Sequence, residues 1–131
     1  MNQRVNERMP TITTTTLRSV WLVAVIGVIF GSVLPRHCRL VQFIDNTHMS
    51  DKLEHLGAYA VLGAFPMMER FRCRHPVVII SFLCALGVVL EVAQRFSPGR
   101  SCEWNDFVAD CLGLLAGAVL VRIFERVGLL Y

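Results

Sequence analysis

Four apolar stretches alternate with polar ones along the chain. Residues 19–34 carry no charge and end at Pro35 and Arg36. Residues 51–68 open on Asp51-Lys52-Leu53-Glu54-His55 and then turn apolar; either Ser50 or Asp51 is a good cap for a helix starting there. Residues 76–94 begin with Pro76, a favoured first-turn residue, and stay apolar as far as Leu90. Residues 106–124 open on Asp106 and finish among Arg122, Glu125 and Arg126. Each stretch is about 16–19 residues, at the short end for a hydrocarbon core of roughly 30 Å. A helix of a water-soluble bundle needs a polar face, and residues 20–34 and 77–90 have none. The pattern predicts an all-α fold, an integral membrane bundle of four transmembrane helices.

The polar stretches set the organisation. Residues 1–16, with Arg4, Arg8 and a threonine run, read as a cytoplasmic tail, leaving 17–131 as a single membrane domain. A cleaved signal peptide would resemble the first apolar stretch, but no A-x-A-like site follows it, which favours a retained helix. Residues 40–44 are apolar enough to lie in the headgroup region. Residues 69–75 form a short basic turn, and Ser97-Pro98-Gly99 marks a turn in the 95–105 loop. With four crossings, the tail, the 69–75 turn and the C-terminus share one side and carry eight of the thirteen basic residues. Seven of the ten acidic residues fall on the other side. The positive-inside rule then predicts both termini in the cytoplasm.

Composition strengthens the membrane reading. Hydrophobic residues make up 54% and charged residues 18%, and the mean hydropathy is +0.53. A soluble chain of this length has too much surface for its volume to hide so many apolar side chains. The net charge of +3 comes without a basic stripe interleaved with aromatics, so nucleic acid is not an expected partner. None of the five cysteines has metal-ligand spacing, and no zinc site is expected. Cys84 and Cys111 read as small hydrophobes in apolar runs. Cys38 and Cys102 fall in connections expected on one side, where a bridge between them is an open alternative.

The chemistry collects at three helix ends. Asp51, His55 and Tyr59 are spaced four apart and share a helix face. Glu91 and Gln94 sit on one face about a turn inside the end of the third helix. Asp106, Asp110, Gly113 and Gly117 form a stripe roughly 60° wide at 100° per residue. The predicted topology puts all three ends on the outer side. Charge at membrane depth is costly, so such groups face a bundle interior and find partners there, and Gly113-x-x-x-Gly117 offers the close helix approach that joins them. Plainer readings stand beside each. Asp51 and Asp106 serve equally as N-caps, Lys52 and Arg100 as their ion-pair partners, His55 as a satisfied interfacial histidine, and Tyr59 and Trp104 as interfacial aromatics. The glycines read as packing residues. Glu91, a turn inside with no neighbouring base in sequence, is the hardest to explain as scaffolding.

The ordered set Asp51-Lys52-x-x-His55-x-x-x-Tyr59, Glu91-x-x-Gln94, Pro98-Gly99-Arg100, Asp106 and Gly113-x-x-x-Gly117 resembles the VanZ-like family of bacterial membrane proteins. The motifs span 51–117, and the first helix fits by position. The resemblance implies a multi-pass protein of the bacterial inner membrane. It also implies a link to the cell envelope and to antibiotic resistance, since the family's named member is associated with low-level resistance to the glycopeptide teicoplanin. The family's biochemical activity is not established, so the resemblance supplies no cofactor. One departure is Asp110, where the family pattern has asparagine.

Three functional readings follow, beside a purely structural salt-bridge network. The first is an outward-facing site engaging an anionic envelope lipid or glycolipid, or protecting against a lipophilic glycopeptide. Arg100 would clamp a phosphate, and Asp51, Lys52, His55, Tyr59, Glu91, Gln94, Asp106 and Asp110 would line the site. The second is a membrane-embedded hydrolase or transferase acting on a lipid-linked substrate, metal-assisted or by acid–base chemistry. Proton-coupled transport is the third, and four short helices suit it poorly.

Overall fold

The computed structural model of the protein describes residues 13–35, 38, 51–68, 71, 73–99 and 103–130. Among the described residues are four helices, α1 (Thr14–Val33), α2 (Asp51–Met67), α3 (Pro76–Gln94) and α4 (Trp104–Arg126). Among the described residues there is no strand. Helices α1, α3 and α4 are long and apolar enough to cross a membrane, each holding an 18-residue stretch of mean hydropathy 1.9, 2.4 and 2.1 respectively. The shorter α2 gives its first two turns to Asp51, Lys52, Glu54 and His55.

Two helix starts differ from the sequence expectation. The threonine run read as tail is the first turn of α1: Thr13 Oγ1 accepts the Thr16 backbone N–H at 3.2 Å, a side-chain N-cap. At the other boundary α4 begins at Trp104, with Glu103 as N-cap residue, so Asp106 lies inside the first turn and is not the cap. Two other expected signals are seen in the described residues. Pro76 opens α3, and Gly99 takes a φ of 79° in the turn after it, a backbone state open to glycine at little cost. Cys38 is a free thiol in the structure, and the alternative of a bridge to Cys102 falls on a residue outside those described.

The tightest contact joins α2 to α4, and small residues create it. A Cβ added at Gly63 would stand 2.6 Å from the Leu114 carbonyl oxygen. One at Gly113 or Gly117 would collide with the backbone oxygens of Leu56 and Ala60. The two helices run parallel, with α3 returning between them in the chain. Tyr59, Leu62, Leu83 and Leu114 fill the core beneath, with Val25 from α1.

Polar anchors hold α1. Trp21 Nε1 donates to the Leu62 carbonyl at 3.0 Å, and its ring meets Phe71 edge-on at 5.8 Å. Arg18 donates to the Phe71 carbonyl at 3.3 Å and lies over the same ring. At the opposite end Ser97 Oγ donates to the Val33 carbonyl at 3.0 Å. The outward faces carry Val23, Phe30, Val77, Phe82, Val89 and Leu115, each 60% exposed or more. Apolar exposure on that scale suits lipid rather than water.

Candidate functional site

The ends of three helices meet at one end of the bundle. The N-terminus of α2, the C-terminus of α3 and the N-terminus of α4 lie together, linked by two contacts of Glu103. Its backbone N–H donates to Glu91 Oε1, and its carboxylate stands 3.7 Å from Lys52 Nζ. Four polar side chains are buried there: Glu91 (3% exposed), Gln94 (2%), Asp106 (5%) and Asp110 (2%). The helical stripe read from the sequence is correct in register, since Asp106, Asp110, Gly113 and Gly117 are all buried.

At the centre, His55 Nδ1 and Asp110 Oδ1 are 2.8 Å apart, joining α2 to α4. His55 also lies within electrostatic range of Asp106 and Glu91. Tyr59 is one turn deeper and 2% exposed. Its hydroxyl and Asp110 Oδ2 both crowd the face of Gly87 on α3, where an added Cβ would meet them at 3.3 and 3.1 Å. Gly87 makes room for the pair. Three buried atoms, Tyr59 Oη, Gln94 Nε2 and Asp106 Oδ1, have no hydrogen-bond partner among the described residues. Between the last turns of α3 and the first turn of α4 opens a cavity of about 150 Å³. It is lined by Val88, Glu91, Val92, Arg95, Trp104 and Phe107.

A family model for VanZ/LLP1 matches residues 4–125. The chain belongs to the VanZ/LLP1 family. No curated protein and no solved structure matches it. Family membership and three membrane-length apolar helices make it a membrane protein.

Of the residues singled out in this VanZ/LLP1 chain, Arg100 lies outside the described part. His55, Tyr59 and Asp110 come into one cluster, with Glu91, Gln94 and Asp106 buried around it. Asp51 is half-buried at the start of α2, within electrostatic range of Asp106. Lys52 stands 3.7 Å from the Glu103 carboxylate, which the start of α4 at Trp104 brings to the rim, and it also lies within electrostatic range of Asp106. Glu103 and Gly87 were missed. Gly87 does have a signal, lying four and seven residues before Glu91 and Gln94 and so on their face. Among the described residues no group of three or more His, Cys, Asp or Glu is arranged to hold a metal ion.

Proposed function

We propose that this VanZ/LLP1 protein crosses the bacterial inner membrane four times, with both termini cytoplasmic and the polar cluster at the outer face. There it engages the headgroup of an envelope glycolipid carrying an anionic group. The observation that carries this reading is the trio of buried, unpartnered atoms on three helices. Leaving such an atom unsatisfied costs about 1–3 kcal/mol, and native folds rarely retain several without a use for them.

Their chemistry is mixed. Gln94 Nε2 donates, Asp106 Oδ1 accepts when ionised, and Tyr59 Oη does either. An ionised phosphate alone offers only acceptors to that set. Sugar hydroxyls and amides offer both. The anionic group of the same lipid would sit at the basic rim of Lys52 and Arg95, with Asp51, His55, Glu91 and Asp110 completing the lining; Arg100, expected from the sequence to clamp a phosphate, lies outside the described residues. Protection against a lipophilic glycopeptide would follow if the protein occupies or shields the lipid-linked envelope component such an antibiotic seeks.

Detergent-free extraction followed by native mass spectrometry tests this. Wild type should carry a glycolipid that Asp106→Asn and Gln94→Leu lose at unchanged membrane abundance. Identical phospholipid adducts on all three proteins would refute the reading.

The His55–Asp110 contact favours a second reading, an acid–base hydrolase or transferase acting on a lipid-linked substrate. A carboxylate at hydrogen-bonding distance orients an imidazole for proton transfer. Purified protein that converts a lipid-linked glycan, and stops doing so as His55→Gln, would establish that reading instead.

A further inference from the structure

Midway along α3, Cys84 turns toward Cys111 on α4, and the two Sγ atoms stand 3.4 Å apart. Each is half-buried, and neither has a role in the polar cluster described above. Small apolar character accounts for either cysteine alone. It does not account for two thiols, 27 residues apart in sequence, meeting across one helix interface. The pair borders the lipid-facing surface, where Val89, Leu112 and Leu115 are 61%, 51% and 62% exposed.

We propose that Cys84 and Cys111 form a dithiol modification site, oxidised by lipid-soluble hydroperoxides to a disulfide that ties α3 to α4. A disulfide holds its sulfurs at about 2.05 Å, so the pair must close by about 1.4 Å from its 3.4 Å separation, a movement on the scale of side-chain rotation. The oxidant class follows from depth. Thiols in apolar surroundings ionise reluctantly and react slowly, so the oxidant must accumulate in the bilayer.

The chemistry proceeds in two steps. One sulfur attacks the peroxide, the O–O bond breaks, and the hydroperoxide leaves as its alcohol while the cysteine becomes a sulfenic acid. The second thiol then displaces water from that sulfenic acid. In sum, two thiols and one hydroperoxide give one disulfide, one alcohol and one water. The second thiol at 3.4 Å makes the condensation intramolecular and spares the first sulfur from further oxidation.

A variant keeping only these two cysteines (Cys38→Ser, Cys73→Ser, Cys102→Ser) is reconstituted in vesicles and treated with cumene hydroperoxide. Both thiols should vanish together on alkylation, with the segments containing Cys84 and Cys111 joined and the protein still monomeric on a non-reducing gel. A membrane-permeant reductant should restore both thiols. Peptide mapping of oxidised wild type should find the same linked pair, which keeps the test alive if the variant folds poorly. Unreacted thiols, sulfinic acid on one cysteine, a link between chains, or linkage of either residue to Cys38, Cys73 or Cys102 would overturn the proposal.

Discussion

Replacing Gly63 with alanine probes the α2–α4 contact directly. The new Cβ would stand 2.6 Å from the Leu114 carbonyl oxygen and 2.9 Å from its Cα, and both are backbone atoms. No flexible side chain is available to swing aside, so the helices must separate until that contact reaches an ordinary 3.4 Å or more. Overpacking of this kind costs about 1–3 kcal/mol. Against it stands the gain of up to about 1 kcal/mol that alanine brings over glycine inside a helix.

Gly57→Ala removes that complication. It lies in the same helix and has nothing within 4 Å of its added Cβ, so the propensity gain is shared and the difference between the variants isolates packing. We expect Gly63→Ala to be less stable than Gly57→Ala by about 1–3 kcal/mol. Reversible unfolding in mixed micelles, followed by Trp21 fluorescence, reads the difference. Equal stability of the two variants would show that close α2–α4 approach does not hold the bundle.

His55→Ala should cost about 3 kcal/mol, since it strands the carboxylate of Asp110, while Asp110→Asn keeps a hydrogen bond to His55 and should cost about 1 kcal/mol or less; equal losses in the same unfolding assay would contradict this. For topology, Cys38 should react with an impermeant thiol reagent on intact cells and Cys73 only after permeabilisation, and the reverse result would invert the proposed orientation.

Much of this architecture follows from one-dimensional patterns. Apolar run length located the helices, and fourfold spacing placed Asp106, Asp110, Gly113 and Gly117 on one buried face. The order of polar and apolar segments also anticipates that three polar helix ends lie together. What spacing does not encode is how each helix rotates against its neighbours. Gly87 acquires meaning only once Tyr59 and Asp110 are aimed at it, and the facing sulfurs of Cys84 and Cys111 depend on the same rotation. Helix ends were a second blind spot. Thr13 caps α1 through its own hydroxyl, and α4 gains Trp104 and Asn105 ahead of Asp106, which brings Glu103 within 3.7 Å of Lys52.

The pairing of α2 with α4 also has a consequence for biogenesis. The His55–Asp110 contact spans 55 residues of chain, and at roughly 5–20 residues per second of synthesis the imidazole waits about 3–11 s for its carboxylate. During that interval α2, which opens on Asp51, Lys52, Glu54 and His55, has no glycine ridge to seat against. A nascent chain stalled before Gly113 and Gly117 emerge presents a half-built polar end to the lipid or the insertion machinery, which makes such intermediates natural targets for membrane quality control. On this reasoning, completion of α4, rather than insertion of any helix before it, is the step that seats α2.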